Sequence, residues 1–168
     1  MALLPIAAVA ADPVQPKAEE AVKSIAVPIR HITPGIEVLR SGRLETFKGK
    51  RVALLTNQTG VDRKGVRNVD LLRAHPAINL VALFSPEHGV RGAAQAGEKV
   101  ASDIDSKSGL PIYSLYGETK MPTAKMMQGI DIVLADLQDV GTRFYTYAST
   151  LLYMLRAAET SGSEVIVL

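Results

Sequence analysis

The sequence contains no cysteine. That excludes disulfides, thiolate metal sites, a cysteine nucleophile and a lipidated-cysteine anchor, and leaves the redox compartment open. Histidine is almost as scarce: His31, His75 and His88 are the whole set, too dispersed for a histidine-rich metal cluster. Neither G-x-G-x-x-G nor a Walker sequence occurs, and the glycines at 89, 92 and 97 lack the strand-to-helix setting of a phosphate loop. No G-x-S-x-G elbow is present, and Ser149 falls inside a helical pattern. Lysine and arginine are scattered, with a net charge of only +2. Without a basic stripe interleaved with aromatics, nothing reads as a nucleic-acid footprint. The apolar stretch at 2–11 is too short to span a bilayer.

What is present describes a globular protein. The chain has 168 residues, 47% hydrophobic and 21% charged, enough for one domain with a real core. The N-terminal stretch is small and apolar, and Ala8-Val9-Ala10 has the A-x-A form of a signal-peptidase site, although a basic region before it is missing. This predicts export, to the periplasm or outside the cell. Pro13, Pro16 and Pro28 with several charges read as a linker, so 1–30 is expected to be leader remnant and linker, and 31–168 the folded domain.

Strands and helices alternate. A turn at Pro34-Gly35 leads into about one helical turn. Apolar runs at 51–55, 79–84, 111–116, 130–135 and 164–168 read as strands, with 51–55 apolar enough for a strand covered on both faces and 130–135 buried. Residues 68–74 read as a helix with Val69 and Leu72 inward. The segment 123–128 reads as a short helix with Pro122 at its first position and Gly129 as its stop. A longer helix is expected over 144–160, with Phe144, Ala148, Leu151, Leu155 and Ala158 as its core face. Residues 90–108 lack a clear period and read as a long loop over the site. The fold class is α/β with a mostly parallel sheet and right-handed crossovers. Because the fifth strand runs to Leu168, the chain is expected to be the N-terminal part of a longer protein.

Ligands bind at the carboxyl ends of strands in such sheets, and three of those ends are polar. They are Thr56-Asn57-Gln58-Thr59-Gly60, Ser85-Pro86-Glu87-His88-Gly89 and the run from Asp136 to Tyr147. The last holds two carboxylates, an amide, a guanidinium and two phenols within twelve residues. Acid–base chemistry by carboxylates fits them best. Glu87, beside Pro86 and after an apolar strand, is expected to be partly desolvated; that favours its protonated form and suits a general acid. Asp139, or else Asp136, is the second carboxylate, there to orient an acetamido group or a water. Arg143 and Arg91 are cations for an anionic substrate group, and Tyr145 and Tyr147 offer ring faces to a sugar. Asn57, His88 and Gln138 complete the positioning set. Two other chemistries stay open: a Ser85–His88–Asp139 triad, and a divalent metal on Glu87, His88, Asp136 and Asp139. Each residue also has an architectural alternative. Asp136 can cap the following helix, Arg143 can pair with Asp139, Tyr147 can simply pack, and Asn57 can be a turn residue.

In order and spacing, five motifs resemble the exo-β-N-acetylmuramidase family, long known as a domain of unknown function. They are Thr56-Asn57-Gln58-Thr59-Gly60, Phe84-Ser85-Pro86-Glu87-His88-Gly89, Ser114-Leu115-Tyr116-Gly117, Met121-Pro122-Thr123 and the run 136–147. The resemblance extends from about residue 35 to 168. It implies a three-layer Rossmann-like N-terminal domain, a smaller C-terminal domain absent from this chain, and an active site in the cleft that the second domain completes. It also implies a hydrolase that removes terminal β-1,4-linked N-acetylmuramic acid from peptidoglycan fragments; no cofactor or resident metal is expected. The family's proposed catalytic glutamate falls at Glu87. The competing classes are a non-catalytic muropeptide- or sugar-binding module and a metal-dependent hydrolase.

Overall fold

The computed structural model describes residues 32–42, 44–95, 97–98 and 101–168. The leader-like stretch and linker expected over 1–30 lie outside the described residues. In chain order the elements are α1 (Gly35–Arg40), a 3-10 turn (Leu44–Phe47), β1 (Arg51–Thr56), α2 (Asn68–Arg73), β2 (Asn79–Ser85) and β3 (Asp103–Ile104). Then come β4 (Pro111–Ser114), α3 (Ala124–Met127), β5 (Ile132–Asp136), α4 (Tyr147–Ser161) and β6 (Glu164–Val167).

The six strands form one sheet in the order β3-β4-β2-β1-β5-β6. Every pairing is parallel except β3 with β4. β1 is central because its side chains suit burial on both faces: Val52, Ala53, Leu54 and Leu55 are all fully buried. Each large aliphatic side chain so enclosed contributes about 1.5–3 kcal/mol. Alternate residues of the strands feed two cores. Val52 and Leu54 of β1, Leu80 and Leu83 of β2 and Leu134 of β5 meet Ile36, Leu39, Phe47, Val69 and Leu72 on one face. Ala53, Leu55, Phe84, Val133 and Ala135 meet Met127, Met154, Ala157 and Ala158 on the other. The result is a three-layer, Rossmann-like α/β fold.

Three expectations need correction. The last helix begins at Tyr147, not 144, and its buried face is Tyr147, Thr150, Met154, Ala157 and Ala158. Phe144 is 81% exposed and Leu155 44% exposed. The helix carries two apolar stripes about one residue out of phase, and Met154 rather than Leu155 fills the core beside Phe84 and Val133. The stretch 90–108 is not wholly loop: Asp103 and Ile104 pair antiparallel with Ile112 and Pro111 at the sheet edge. Pro122 precedes the α3 cap instead of opening the helix. Thr123 is the N-cap, its hydroxyl accepting from the Met126 N–H.

The order also places the site. The chain runs outward from β1 to β2 and then to β4, and returns to the far side of β1 as β5. That reversal opens a crevice at the carboxyl ends of β1 and β5, where open α/β sheets take their ligands.

Candidate active site

Glu87 stands two residues beyond β2, at the carboxyl edge. Thr146, the residue before α4, donates its hydroxyl to Glu87 Oε2 at 2.8 Å. The Gly97 N–H donates to Oε1 at 2.9 Å. Tyr116, two residues past β4, turns its hydroxyl toward the same carboxylate. Glu87 and the run 136–147 therefore share one rim, although 59 positions separate Glu87 from Thr146. The chain turns sharply there. His88 has φ +70°, a left-handed backbone rare for a residue with a side chain. Its Nδ1 lies 2.9 Å from the Ala94 carbonyl. Glu87, His88, Phe144, Tyr145, Thr146 and Tyr147 line a cleft of ≈ 280 Å³. Tyr145 meets Tyr147 edge-on at 5.5 Å between centroids, and Phe144 is tilted against Tyr145 at 5.8 Å. Three aromatic rings and a carboxylate around an open hollow are the chemistry of carbohydrate stacking beside a proton-handling group.

Asn57, one residue past β1, is completely buried. Its Oδ1 accepts from the Thr59 N–H at 2.9 Å and the Thr59 hydroxyl at 2.6 Å, a local turn. Thr59 Oγ1 in turn accepts from the Gln138 N–H at 3.0 Å, which ties the end of β1 to the loop after β5. The Tyr147 hydroxyl lies beside the Asn57 and Gln58 side chains. No hydrogen bond of ordinary geometry closes on Asn57 Nδ2, a buried donor without a partner among the described residues. The Gln138 side chain is exposed and donates to the Asp139 carbonyl at 3.2 Å.

The two aspartates face elsewhere. Asp136 turns toward α2, where Asn68 Nδ2 bridges Asp136 Oδ2 at 2.9 Å and Thr56 Oγ1 at 2.7 Å. Thr146, not Asp136, occupies the N-cap position of α4. Asp139 lines a second, apolar hollow of ≈ 150 Å³ with Ala135, Leu137, Tyr147, Ala148, Leu151 and Val167. It accepts from the Gly141 N–H at 2.7 Å, and its Oδ2 is buried without a donor among the described residues. Tyr147 is the wall between the two hollows. Arg143 is exposed and makes no ion pair among the described residues, with Asp139 or any other carboxylate. Arg91 is committed: its guanidinium pairs at 2.5 Å with the buried Asp105 and is not free for substrate. The alternative chemistries fare poorly. Ser85 Oγ is buried and has no hydrogen-bond partner among the described residues, so no Ser85–His88–Asp139 relay forms. Among the described residues no three His, Asp or Glu side chains converge as a metal set, because Asp136 and Asp139 point away from Glu87 and His88.

Residues 52–168 match the family described as exo-beta-N-acetylmuramidase NamZ, N-terminal. The chain belongs to this family. It is 50% identical over 137 residues to the peptidoglycan beta-N-acetylmuramidase NamZ of Bacillus subtilis, covering 82% of this chain and 33% of that protein. Two crystal structures of DUF1343 family proteins from Bacteroides fragilis share the fold. One superposes with a TM-score of 0.73 at 46% identity, covering 81% of this chain and 34% of its own. The other superposes with 0.65 at 34% identity and the same coverage. The chain spans about a third of the length of these relatives.

Within this NamZ N-terminal domain the electrostatics of the rim divide by partner. Desolvation is the largest influence on Glu87 and pushes its pKa up. The Gly97 N–H, the Thr146 and Tyr116 hydroxyls and the nearby His88 together outweigh it, so the net shift is downward. The expectation of a carboxyl protonated by burial is thus overturned for the free site: donors to the ionised form decide the balance. Asp136 shifts the other way, because burial outweighs its one bond from Asn68. Burial also pushes the Tyr147 hydroxyl up; the Asn57 and Gln58 amides oppose this, and Tyr145 and Glu87 add to it. Thr146 and Tyr116 were not among the residues singled out for chemistry in the NamZ-like motifs. The available signal was position: each follows a strand end and carries a hydroxyl inside a motif already noted.

Proposed function

We propose that the protein is a glycoside hydrolase of bacterial cell-wall recycling, releasing terminal β-1,4-linked N-acetylmuramic acid from peptidoglycan fragments in the periplasm or outside the cell. The observation that carries this reading is Glu87, hydrogen-bonded at the strand edge in a cleft walled by Phe144, Tyr145 and Tyr147, in a chain of the NamZ N-terminal family. Glu87 is the general acid for the leaving oxygen. A sugar seated in the cleft strips water from the carboxylate and brings an acceptor oxygen against it. Both effects raise the pKa and supply the proton-bearing form that the free site disfavours. Asp139, which lines the adjoining hollow beyond Tyr147 and whose Oδ2 has no donor among the described residues, is the second carboxylate, and it takes the acetamido N–H or a water where the sugar's 2-substituent passes Tyr147. Arg143, a cation of the run 136–147 with no ion pair among the described residues, receives the lactyl carboxylate. His88 and Tyr145 position the ring from the cleft wall; Asn57, buried beside the Tyr147 hydroxyl, and Gln138, tied through its N–H to Thr59, act from behind that wall, and Asp136 supports the rim through Asn68. A second domain of the longer protein is expected to close the cleft.

The test is hydrolysis of a chromogenic N-acetylmuramide by the product of the complete gene. Glu87→Gln is expected to lower turnover on the order of a hundredfold or more with little change in sugar binding. Turnover near that of the parent removes Glu87 from the mechanism. The 168-residue chain alone is expected to bind the sugar without cleaving it. Binding without turnover by the complete protein as well would favour a sugar-binding module.

A further inference from the structure

Thr146 occupies the N-cap position of α4, where a threonine hydroxyl ordinarily accepts a backbone N–H of the first turn and stabilises the helix by about 1 kcal/mol. Here it makes no cap bond. Its backbone is helical, φ −98° and ψ −6°, and its hydroxyl is turned out of the helix onto Glu87 Oε2. A local rule is broken at the one place where the side chain reaches the candidate acid, and such breaks mark functional geometry. Tyr116 brings a second hydroxyl to the same carboxylate from beyond the end of β4. The two hydroxyls come from separate strand–loop units, so they hold the carboxylate only when the sheet brings those ends together.

We propose that Thr146 and Tyr116 are positioning residues for Glu87, fixing the rotamer that aims its carboxylate into the aromatic cleft and the protonation state in which it waits. The proposal rests on Glu87 being the proton-handling group of the reading above. The titratable groups that face Glu87 are His88 beside it in the chain, Tyr116 from beyond β4 and Tyr147 from α4. Removing a hydroxyl that donates to the ionised carboxylate weakens that form, so the Glu87 titration must move to higher pH, whether the residue acts as acid or as base.

The experiment measures kcat/KM against pH for the complete gene product as parent, Thr146→Val, Thr146→Ser and Tyr116→Phe. The Glu87 limb is identified as the one that Glu87→Gln abolishes. Thr146→Val and Tyr116→Phe are each expected to lose about tenfold in kcat with KM little changed, and to shift that limb to higher pH. Thr146→Ser is expected to restore it. The second readout needs no activity: a carbon-13 titration of the Glu87 carboxyl in the 168-residue chain, expected to move in the same direction in both variants. A Glu87 titration unmoved in folded Thr146→Val and Tyr116→Phe overturns the proposal. If Glu87→Gln retains turnover, the assignment of Glu87 as the acid fails instead, and the carboxyl titration still decides the positioning.

Discussion

Glu87 and Asp136 lie on the same edge of the sheet, two strands apart, and their protons are held in opposite senses. Glu87 is lowered, as are Glu37 and Asp105. Those groups contribute stability that is present above the unfolded carboxyl values and lost as pH falls through the folded ones. Asp136 is raised, so it binds its proton more tightly folded than unfolded. Its contribution is full below the unfolded value, about 3.9, and declines as pH rises through the folded one. Asp136→Asn keeps an acceptor for Asn68 Nδ2 and removes the buried charge. The variant is expected to be the more stable at pH 7, with the advantage shrinking as pH falls toward about 4. Urea midpoints across that window check this, and a parent equal or superior at pH 7 would refute it. Gly60 guards the same network. A Cβ there would lie 2.1 Å from Asn68 Nδ2 and 2.3 Å from Thr56 Oγ1. Gly60→Ala is therefore expected to cost about 2–3 kcal/mol by displacing Asn68 from Asp136. Thermal unfolding indistinguishable from the parent would show that Asn68 can move away without loss.

Among the elements, α4 gives the sharpest check of packing. Met154 is fully buried against the sheet, and Leu155, one position along, is 44% exposed. Met154→Ala is expected to cost about 2–5 kcal/mol and Leu155→Ala less than about 1. Chemical denaturation that reverses this order would restore the face expected from periodicity. That face was misread because Phe144 extends an i, i+4 pattern backward beyond the true start of the helix. The strands were legible because a parallel sheet covered on both sides demands continuous apolar runs, and 51–55, 79–84 and 130–135 are such runs. β3 was not: two residues, Asp103 and Ile104, carry no pattern, and only Pro111 and Ile112 opposite them make a strand. Of the candidate site, the placement of Glu87, His88, Asn57 and Tyr145 on one rim was legible from polar residues following apolar runs. The hydroxyl grip on Glu87 was not, since it depends on the ends of β2 and β4 and the start of α4 meeting in space. The commitment of Arg91 to Asp105 was hidden for the same reason.

For the whole molecule, sheet order predicts where stability resides. β1 is hydrogen-bonded to β2 on one side and β5 on the other, and its core residues are fully buried. β6 pairs with β5 alone, its two middle residues half-buried and its two end residues exposed. β3 hangs by two residues on the far edge. Amides released only by global unfolding should therefore belong to β1, β2 and β5, whereas those of β3 and β6 should exchange through local opening. The site straddles this gradient. Asn57 and Glu87 follow the most protected strands, whereas the Gly97 N–H that holds Glu87 Oε1 comes from the segment between β2 and β3, tied down chiefly by Arg91–Asp105 and by Arg67 on the Val90 carbonyl. Native-state hydrogen exchange on the 168-residue chain is expected to rank β1 slowest, the edge strands fast and Gly97 among the fastest. That pattern would leave one donor on Glu87 free to withdraw while the strand end holding the carboxylate stays fixed, which is what a carboxyl must allow if it is to take up a proton when a sugar displaces its partners. Protection of β6 equal to that of β1, or of Gly97 equal to the core, would mean that the rim opens only when the whole domain does.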